Sequence, residues 1–455
     1  MPHSTCHPHR SFIALFAPVL FTQTTLTRSV VTSARFTHAS AIAPAPAIAP
    51  APAIAPAPAI APAPAIAHAQ APRVTAGVTV LVRDSLHLIQ GKRVGLITNH
   101  TGRDASGVSS IDLLARAPGV KLVALFGPEH GLRGIAQAGE TVASSVDSAT
   151  GVPIFSLYGA THVPTAEMLA NVDVLVYDIQ DVGARTYTFA WTMALSADAA
   201  GKRGIPFIVC DRPVPIRGDR VGGGILDTAF RSFVGQYPVP LRYGLTPGEL
   251  LRYLVRTKQV NATVTVVPMQ GWKRDMWYDQ TGLPWITPSP NIRTLDAALL
   301  YPGTVLVEGT NMSEGRGTDA PFQLIGAPWL NDLSAIIRVL SALPATRGVH
   351  FDSVSRTIGA GQKLAGQTIP MLRITVTDRN TVEPVRLGIA VLAVIRQRHA
   401  KDFVWREAFF DKLAGSSRLR RAIDGGPASA LAIVPDWERE ARRFSDVSRR
   451  DLLYR

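Results

Sequence analysis

Residues 173–189, DVLVYDIQDVGARTYTF, set the terms for any fold this chain can adopt. The apolar run Val174-Leu175-Val176-Tyr177 has the length and β-branched content of a buried strand, and Gly183 permits a sharp turn just beyond it. Asp178, Gln180, Asp181, Arg185, Tyr187 and Thr188 are therefore gathered at one strand's carboxyl end. In open α/β sheets ligands bind in the crevice outside those ends, which gives the polar cluster its meaning. The structural alternative is a charged loop whose Asp and Arg side chains pair with each other. Three further strands with the same kind of ending weigh against it.

Those strands follow from the alternation of patterns around the run. Residues 93–99 (RVGLITN), 120–127 and 206–210 read as strands, and 110–117 and 190–200 as helices. This rhythm predicts a parallel, Rossmann-like sheet in a first domain spanning 73–245. The strand ends carry Asn99-His100-Thr101, Gly127-Pro128-Glu129-His130-Gly131, the 178–187 cluster and Asp211-Arg212-Pro213. No strand is followed by G-x-G-x-x-G, and Gly222-Gly223-Gly224 follows a charged loop, so no dinucleotide or other cofactor is expected. A nicotinamide-dependent enzyme on such a sheet would need that loop.

Glu129 stands between Pro128 and Gly131 directly after an apolar strand. A carboxyl group against a partly apolar wall keeps its proton to higher pH and can protonate a leaving oxygen, as glycoside hydrolysis requires. His130 can orient it, tune it or bind substrate. Equally, Glu129 can pair with Arg133 and His130 can be a satisfied loop histidine. His100, His130, Asp178 and Asp181 show no metal-ligand spacing, so no metal is expected.

A second α/β domain is expected over 246–455. Thr246 and Glu249 form a capping box ahead of a helix at 246–258, and a strand follows at 263–267. Trp272, Trp277, Tyr278 and Trp285 then punctuate a Pro-rich loop ending at Asn291, with rings suited either to sugar faces or to packing. A short strand opening the segment 305–318 empties into Glu308, Asn311, Ser313, Glu314 and Arg316, a loop able to close over the crevice. Helices at 329–343 and 385–398 flank a strand at 371–377, and the arginine-rich tail 437–455 reads as an amphipathic helix.

The first 72 residues contain no Asp or Glu, and the apolar stretch 12–21 follows His7, His9 and Arg10 in the order of a signal peptide. Residues 1–40 are expected to be a leader, too short in its apolar part for a permanent span, and the protein is expected to be exported to the periplasm or beyond. The hexapeptide AIAPAP runs four times from Ala41 to Pro64, giving an extended spacer over 41–72. With Cys6 in the leader and Cys210 at a strand end, no intramolecular disulfide is expected. The net charge of +13 is scattered and accompanied by no nucleic-acid motif, which points to an anionic polymer or a carboxylated sugar rather than nucleic acid.

Taken together, TNHTG at 98–102, LFGPEHGLRG at 125–134, AGE at 138–140, DIQDVGARTYT at 178–188 and DRP at 211–213 resemble the peptidoglycan exo-β-N-acetylmuramidase (NamZ-like) family. The resemblance continues through PMQGW at 268–272, GLPW at 282–285, PSPN at 288–291, YPGT at 301–304, EGTNMSEGRGT at 308–318 and GAPW at 326–329. It implies a Rossmann-like domain followed by a smaller α/β domain, with a cleft between them. It also implies release of N-acetylmuramic acid from the non-reducing end of cell-wall glycan fragments, so muramic-acid saccharides are the expected partners. The oligomeric state is left open.

The family's favoured catalytic group falls on Glu129, with His130 and Asp181 beside it. Asp178, Asp181, Glu140, Glu308 and Glu314 are the candidates for a partner carboxylate. Asn99, His100, Gln180, Tyr187, Asn291 and Asn311 lie in matching segments as expected substrate contacts, and Arg185, Arg212 and Arg316 as candidates to grip the lactyl carboxylate. The rival readings are a non-catalytic wall-binding protein, which needs the aromatics and arginines but not Glu129, and a glycosidase for another amino-sugar glycan.

Overall fold

The computed structural model describes residues 74–137, 139–140 and 143–455. The expected leader and spacer lie outside them. Among the described residues, no helix is long and apolar enough to cross a membrane.

Seven strands form the large sheet: β1 Arg93–Thr98, β2 Lys121–Gly127, β3 Ser145–Val146, β4 Pro153–Ser156, β5 Val174–Asp178, β6 Phe207–Cys210 and β7 Val264–Val267. Their spatial order is β3-β4-β2-β1-β5-β6-β7, parallel throughout except that β3 runs antiparallel to β4. The chain builds outward from β1 in one direction and from β5 in the other, so the order reverses between these two central strands. That reversal opens a crevice at their carboxyl ends. Every residue of β5 is buried, as expected of a central strand covered by helices on both faces.

Helices α1 Gly77–Asp84, α2 Ser110–Ala115, α3 Phe189–Gly201 and α4 Pro247–Arg256 accompany this sheet. The capping box is present: Thr246 Oγ1 accepts from the Glu249 amide at 3.2 Å, and Glu249 Oε2 from the Thr246 amide at 3.0 Å. The strand expected to open the second domain is β7, and it joins the first sheet beside β6 instead. Its alternating valines continue the parallel ladder, register Phe207↔Val264 to Cys210↔Val267.

The second half holds a three-stranded antiparallel sheet, β8 Leu324–Gly326, β9 Val349–Thr357 and β10 Thr368–Val376, in the order β8-β10-β9. Around it lie α5 Leu295–Thr304, α6 Leu333–Ser341, α7 Pro384–Arg398, α8 Glu407–Ala414, α9 Arg418–Asp424, α10 Pro427–Ala432 and α11 Val434–Ser448. Helices α5 and α7 cross backbone to backbone. A Cβ on Gly303 would stand 1.8 Å from Pro384 O, and one on Gly388 2.4 Å from Gly303 O, so neither position admits a side chain. The strand expected at the start of 305–318 is a 3-10 turn, Val305–Gly309, which prolongs α5. Short apolar runs do not distinguish the two, and here helix packing decides.

The segment after α11 returns to the large sheet. Asp451 pairs with Arg256 at 2.7 Å, and Glu249 Oε1 accepts from the Leu453 amide at 2.9 Å. Tyr454 donates its hydroxyl to Asp211 Oδ2 at 2.6 Å and accepts from the Met269 amide at 2.9 Å.

Candidate active site

Strand β2 delivers Glu129 two residues past its end, and the backbone there turns through the left-handed region at His130, φ 70°, and Gly131, φ 71°. For a non-glycine residue that conformation costs about 1–3 kcal/mol and is found where the surroundings impose it. Glu129 is 9% exposed. Its Oε2 accepts from Thr188 Oγ1 at 2.5 Å and its Oε1 from the Gly139 amide at 3.2 Å. Thr188 precedes α3 in the N-cap position yet makes no capping bond, so its hydroxyl is left for the glutamate.

His130 Nδ1 lies 2.6 Å from Ala136 O. A carbonyl only accepts, so Nδ1 carries the hydrogen and Nε2 is left as the acceptor of a neutral ring. Burial lowers the His130 pKa, against the pull of Glu129, and nearby Arg316 lowers it further. Tyr158 is raised by burial and then by the Glu129 carboxylate.

These groups line a cavity of about 370 Å³ between the ends of the large sheet and the second half. From the sheet side come Glu129, His130, Tyr158, His162, Thr186, Tyr187, Thr188 and Phe233. From the other side come Ser289, Ile292, Tyr301, Glu308, Arg316, Phe322 and Phe409. Arg316 donates to Glu308 at 2.7 Å, pairs with Glu314 at 3.1 Å and lies 5.0 Å from the Phe322 ring centroid. Burial opposes the charge on Arg316, but the two glutamates raise its pKa. Burial raises the Glu308 pKa and Arg316 pulls it back.

Of the residues singled out in the sequence, Glu129, His130, Tyr187, Thr188, Glu308 and Arg316 meet in this cavity. Glu314 is buried behind them, between Arg316 and Lys363, 2.9 Å away. Two of the three arginines expected to reach a substrate carboxylate are engaged inside the protein and do not line the cavity. Arg212 clasps Asp178 through Nε at 2.6 Å and Nη2 at 2.8 Å, inside the core. Arg185 donates to the carbonyls of Gly224, Val239 and Leu413 at 2.9, 3.0 and 2.9 Å, and burial pushes its pKa down to about 9.

The other expected site residues, the catalytic candidate Asp181 among them, are absent from the cavity lining. Asp181 accepts from Tyr243 at 2.5 Å and the Gly183 amide at 2.7 Å, and burial raises its pKa to about 6. Gln180 donates to the carbonyls of Asp181 and Pro213 at 2.8 and 2.7 Å. Asn99 Oδ1 holds the Thr101 amide and hydroxyl at 2.9 and 2.6 Å. His100 Nε2 meets Thr287 O at 2.7 Å, and its ring fills the space that a Cβ on Gly134 would enter, 2.0 Å away. Glu140 is exposed and accepts from the Gln137 amide at 2.8 Å. Asn311 bridges Asp402 O and the Val404 amide at 2.8 and 3.0 Å, and Asn291 is buried beside Ile292.

Sequence reasoning missed Tyr158, His162, Phe233, Ser289, Tyr301, Phe322 and Phe409 as cavity residues. The available signal was the Tyr-Gly pair closing the PIFSLYG run after β4. Conversely Trp272, Trp277 and Tyr278 are buried packing residues, as their size favours. A wider depression of about 850 Å³ near Trp277 is lined by Arg217, Lys273, Asp279 and Arg379 and contains none of the expected site residues. Among the described residues, no group of three or more His, Cys, Asp or Glu side chains is placed to hold a metal ion.

Comparison with known proteins matches residues 94–296 to the family description "Exo-beta-N-acetylmuramidase NamZ, N-terminal" and residues 299–454 to its C-terminal counterpart. The peptidoglycan beta-N-acetylmuramidase NamZ of Bacillus subtilis (strain 168) is 45% identical over 387 residues, covering 85% of this chain and 92% of that protein. Two crystal structures of DUF1343 family proteins from Bacteroides fragilis NCTC 9343 share the fold. One has a TM-score of 0.77 at 35% identity and the other 0.66 at 30%, each covering 84% of this chain and 99% of its own.

Proposed function

The chain belongs to the exo-β-N-acetylmuramidase NamZ family, and from that premise we propose that it hydrolyses peptidoglycan fragments, releasing N-acetylmuramic acid from their non-reducing ends. The observation that carries the assignment of roles is the Glu129 carboxyl, held by Thr188 and Gly139 on the wall of the cavity that Arg316 and Glu308 line from the other half. Glu129 acts as the general acid, giving its proton to the glycosidic oxygen as the bond to the anomeric carbon breaks, and water adds to that carbon, releasing the proton that restores the acid. The neutral Nε2 of His130 accepts a hydrogen bond from a sugar hydroxyl or from water. Of the five candidate partner carboxylates, Glu308 is the one on the cavity wall, where it faces the charge that develops on the sugar ring. Arg316 draws the lactyl carboxylate that distinguishes muramic acid from glucosamine.

Residues 1–40 direct export as a leader that is then removed. N-terminal sequencing of protein recovered outside the cytoplasm tests this, and an intact residue 1 on exported protein argues against it. The activity is tested by release of free N-acetylmuramic acid from a chromogenic muramide or a muramic acid–glucosamine disaccharide. The parent protein releases it, and Glu129→Gln loses about 10²-fold or more. A folded parent that binds wall fragments without releasing sugar is instead a binding protein.

A further inference from the structure

The sheet-side wall of the cavity carries an aromatic cluster that the hydrolytic chemistry leaves unused. The His162 and Phe233 rings are stacked, with centroids 4.0 Å apart and planes 19° from parallel. Tyr158 completes the group, its centroid 5.3 Å from His162 and 5.8 Å from Phe233. Tyr158 and His162 come from the segment after β4, and Phe233 from the loop after the 3-10 turn Thr228–Phe230, so mutual stacking joins two otherwise separate loops. All three are half-buried and line the cavity.

Two unlike walls therefore line the cavity that holds Glu129. One carries the charged pair Arg316–Glu308, and the other an apolar, polarisable surface whose nearest member, Tyr158, feels the Glu129 carboxylate. A general acid at a glycosidic oxygen has one sugar on each side of it. The charged wall suits the sugar bearing a carboxylate. The aromatic wall suits a neutral sugar, whose axial C–H face packs on a ring without desolvating a charge.

We propose that Tyr158, His162 and Phe233 form the subsite for the leaving saccharide, the neutral amino sugar on the reducing side of the scissile bond. The inference rests on the muramidase activity proposed above. A disaccharide then gains affinity from the ledge that free N-acetylmuramic acid does not.

The experiment compares the parent with Phe233→Ala, His162→Ala and Phe233→Trp, using the muramic acid–glucosamine disaccharide as substrate and free N-acetylmuramic acid as inhibitor. Both alanine variants should lose on the order of tenfold in kcat/KM on the disaccharide, mostly through KM, from lost apolar contact. Phe233→Trp should restore most of the loss, and inhibition by N-acetylmuramic acid should shift less than about twofold. Unchanged disaccharide kinetics in the alanine variants, or equal weakening of disaccharide and inhibitor, overturns the proposal. Failure of Phe233→Trp to recover activity while it melts like the parent also overturns it. A parent that releases no muramic acid overturns the muramidase assignment and this subsite with it.

Discussion

The Thr188 hydroxyl donates to Glu129 at 2.5 Å, which links the start of α3 to the loop after β2 through the carboxyl group proposed to do the chemistry. The Glu129 rotamer is thereby held from two sides, by the start of a helix through Thr188 and by its own loop through the Gly139 amide. Threonine at a helix start ordinarily satisfies the helix's free amides, so the diversion of its hydroxyl has a cost in helix stability that the orientation of Glu129 offsets.

Thr188→Val should therefore lower kcat by about tenfold or more with little change in KM, because the bond that orients the Glu129 carboxyl is lost while the cavity keeps its shape. Thr188→Ser should retain most of the activity. Steady-state kinetics on the chromogenic muramide decide it, and a valine variant with parental kcat removes Thr188 from the mechanism.

Arg316→Ala should reduce activity on muramic-acid substrates far more than on glucosamine analogues. Equal losses on both would show that Arg316 only supports the wall. The same change should destabilise the fold by about 3–5 kcal/mol, since Glu308 and Glu314 lose the guanidinium they share. Thermal and urea denaturation measure that second effect.

Arg212 and Asp178 have side chains 3% and 0% exposed, so breaking the pair leaves a charge in the core. Arg212→Ala should cost about 3–5 kcal/mol of unfolding free energy. Asp178→Asn should cost at least as much, because it leaves the Arg212 guanidinium buried without its counter-charge, whereas an unpaired Asp178 can take up a proton. If Arg212→Ala is as stable as the parent but binds muramic acid poorly, Arg212 reaches substrate after all.

Burial, with a smaller push from Glu249, raises Asp211 from 3.8 to about 7, against the stabilising hydrogen bond from Tyr454. A carboxyl group with a raised folded-state pKa binds its proton more tightly in the native protein than in the unfolded chain. Its contribution is complete below 3.8 and is lost as the pH rises to about 7. Asp211→Asn should accordingly flatten the decline of stability across that interval, as measured by urea denaturation at a series of pH values. An unchanged slope would show that Asp211 is not the group responsible.

The large sheet was legible because its strands are uninterrupted apolar runs ending in polar residues, a pattern set by burial on both faces. Glu129 was legible for the same reason, being the first carboxylate after such a run. What the pattern does not encode is how many partners converge on a side chain. Arg185, Arg212 and Arg316 are alike as letters, yet three carbonyls hold the first, Asp178 takes the second, and the third reaches the cavity beside its glutamates. The aromatic ledge was hidden because Tyr158 and Phe233 are 75 positions apart and meet only through stacking. The turn at Val305–Gly309 escaped because three apolar residues serve helix and strand equally.

Asp211 receives the Tyr454 hydroxyl from 243 positions downstream, and Glu249 receives the Leu453 amide from 204. During synthesis the large sheet emerges long before either donor exists, so Asp211 has only Thr246 and Gly248, and Glu249 only Thr246 and Arg274, until the second half has been translated. The sheet's edge at β7 gains the Tyr454 contact to Met269 only then. A ribosome-bound chain ending near residue 300 should hold its central strands while leaving that edge open to proteases and chaperones, which makes the tail a late checkpoint on the whole fold and not an ornament on its surface.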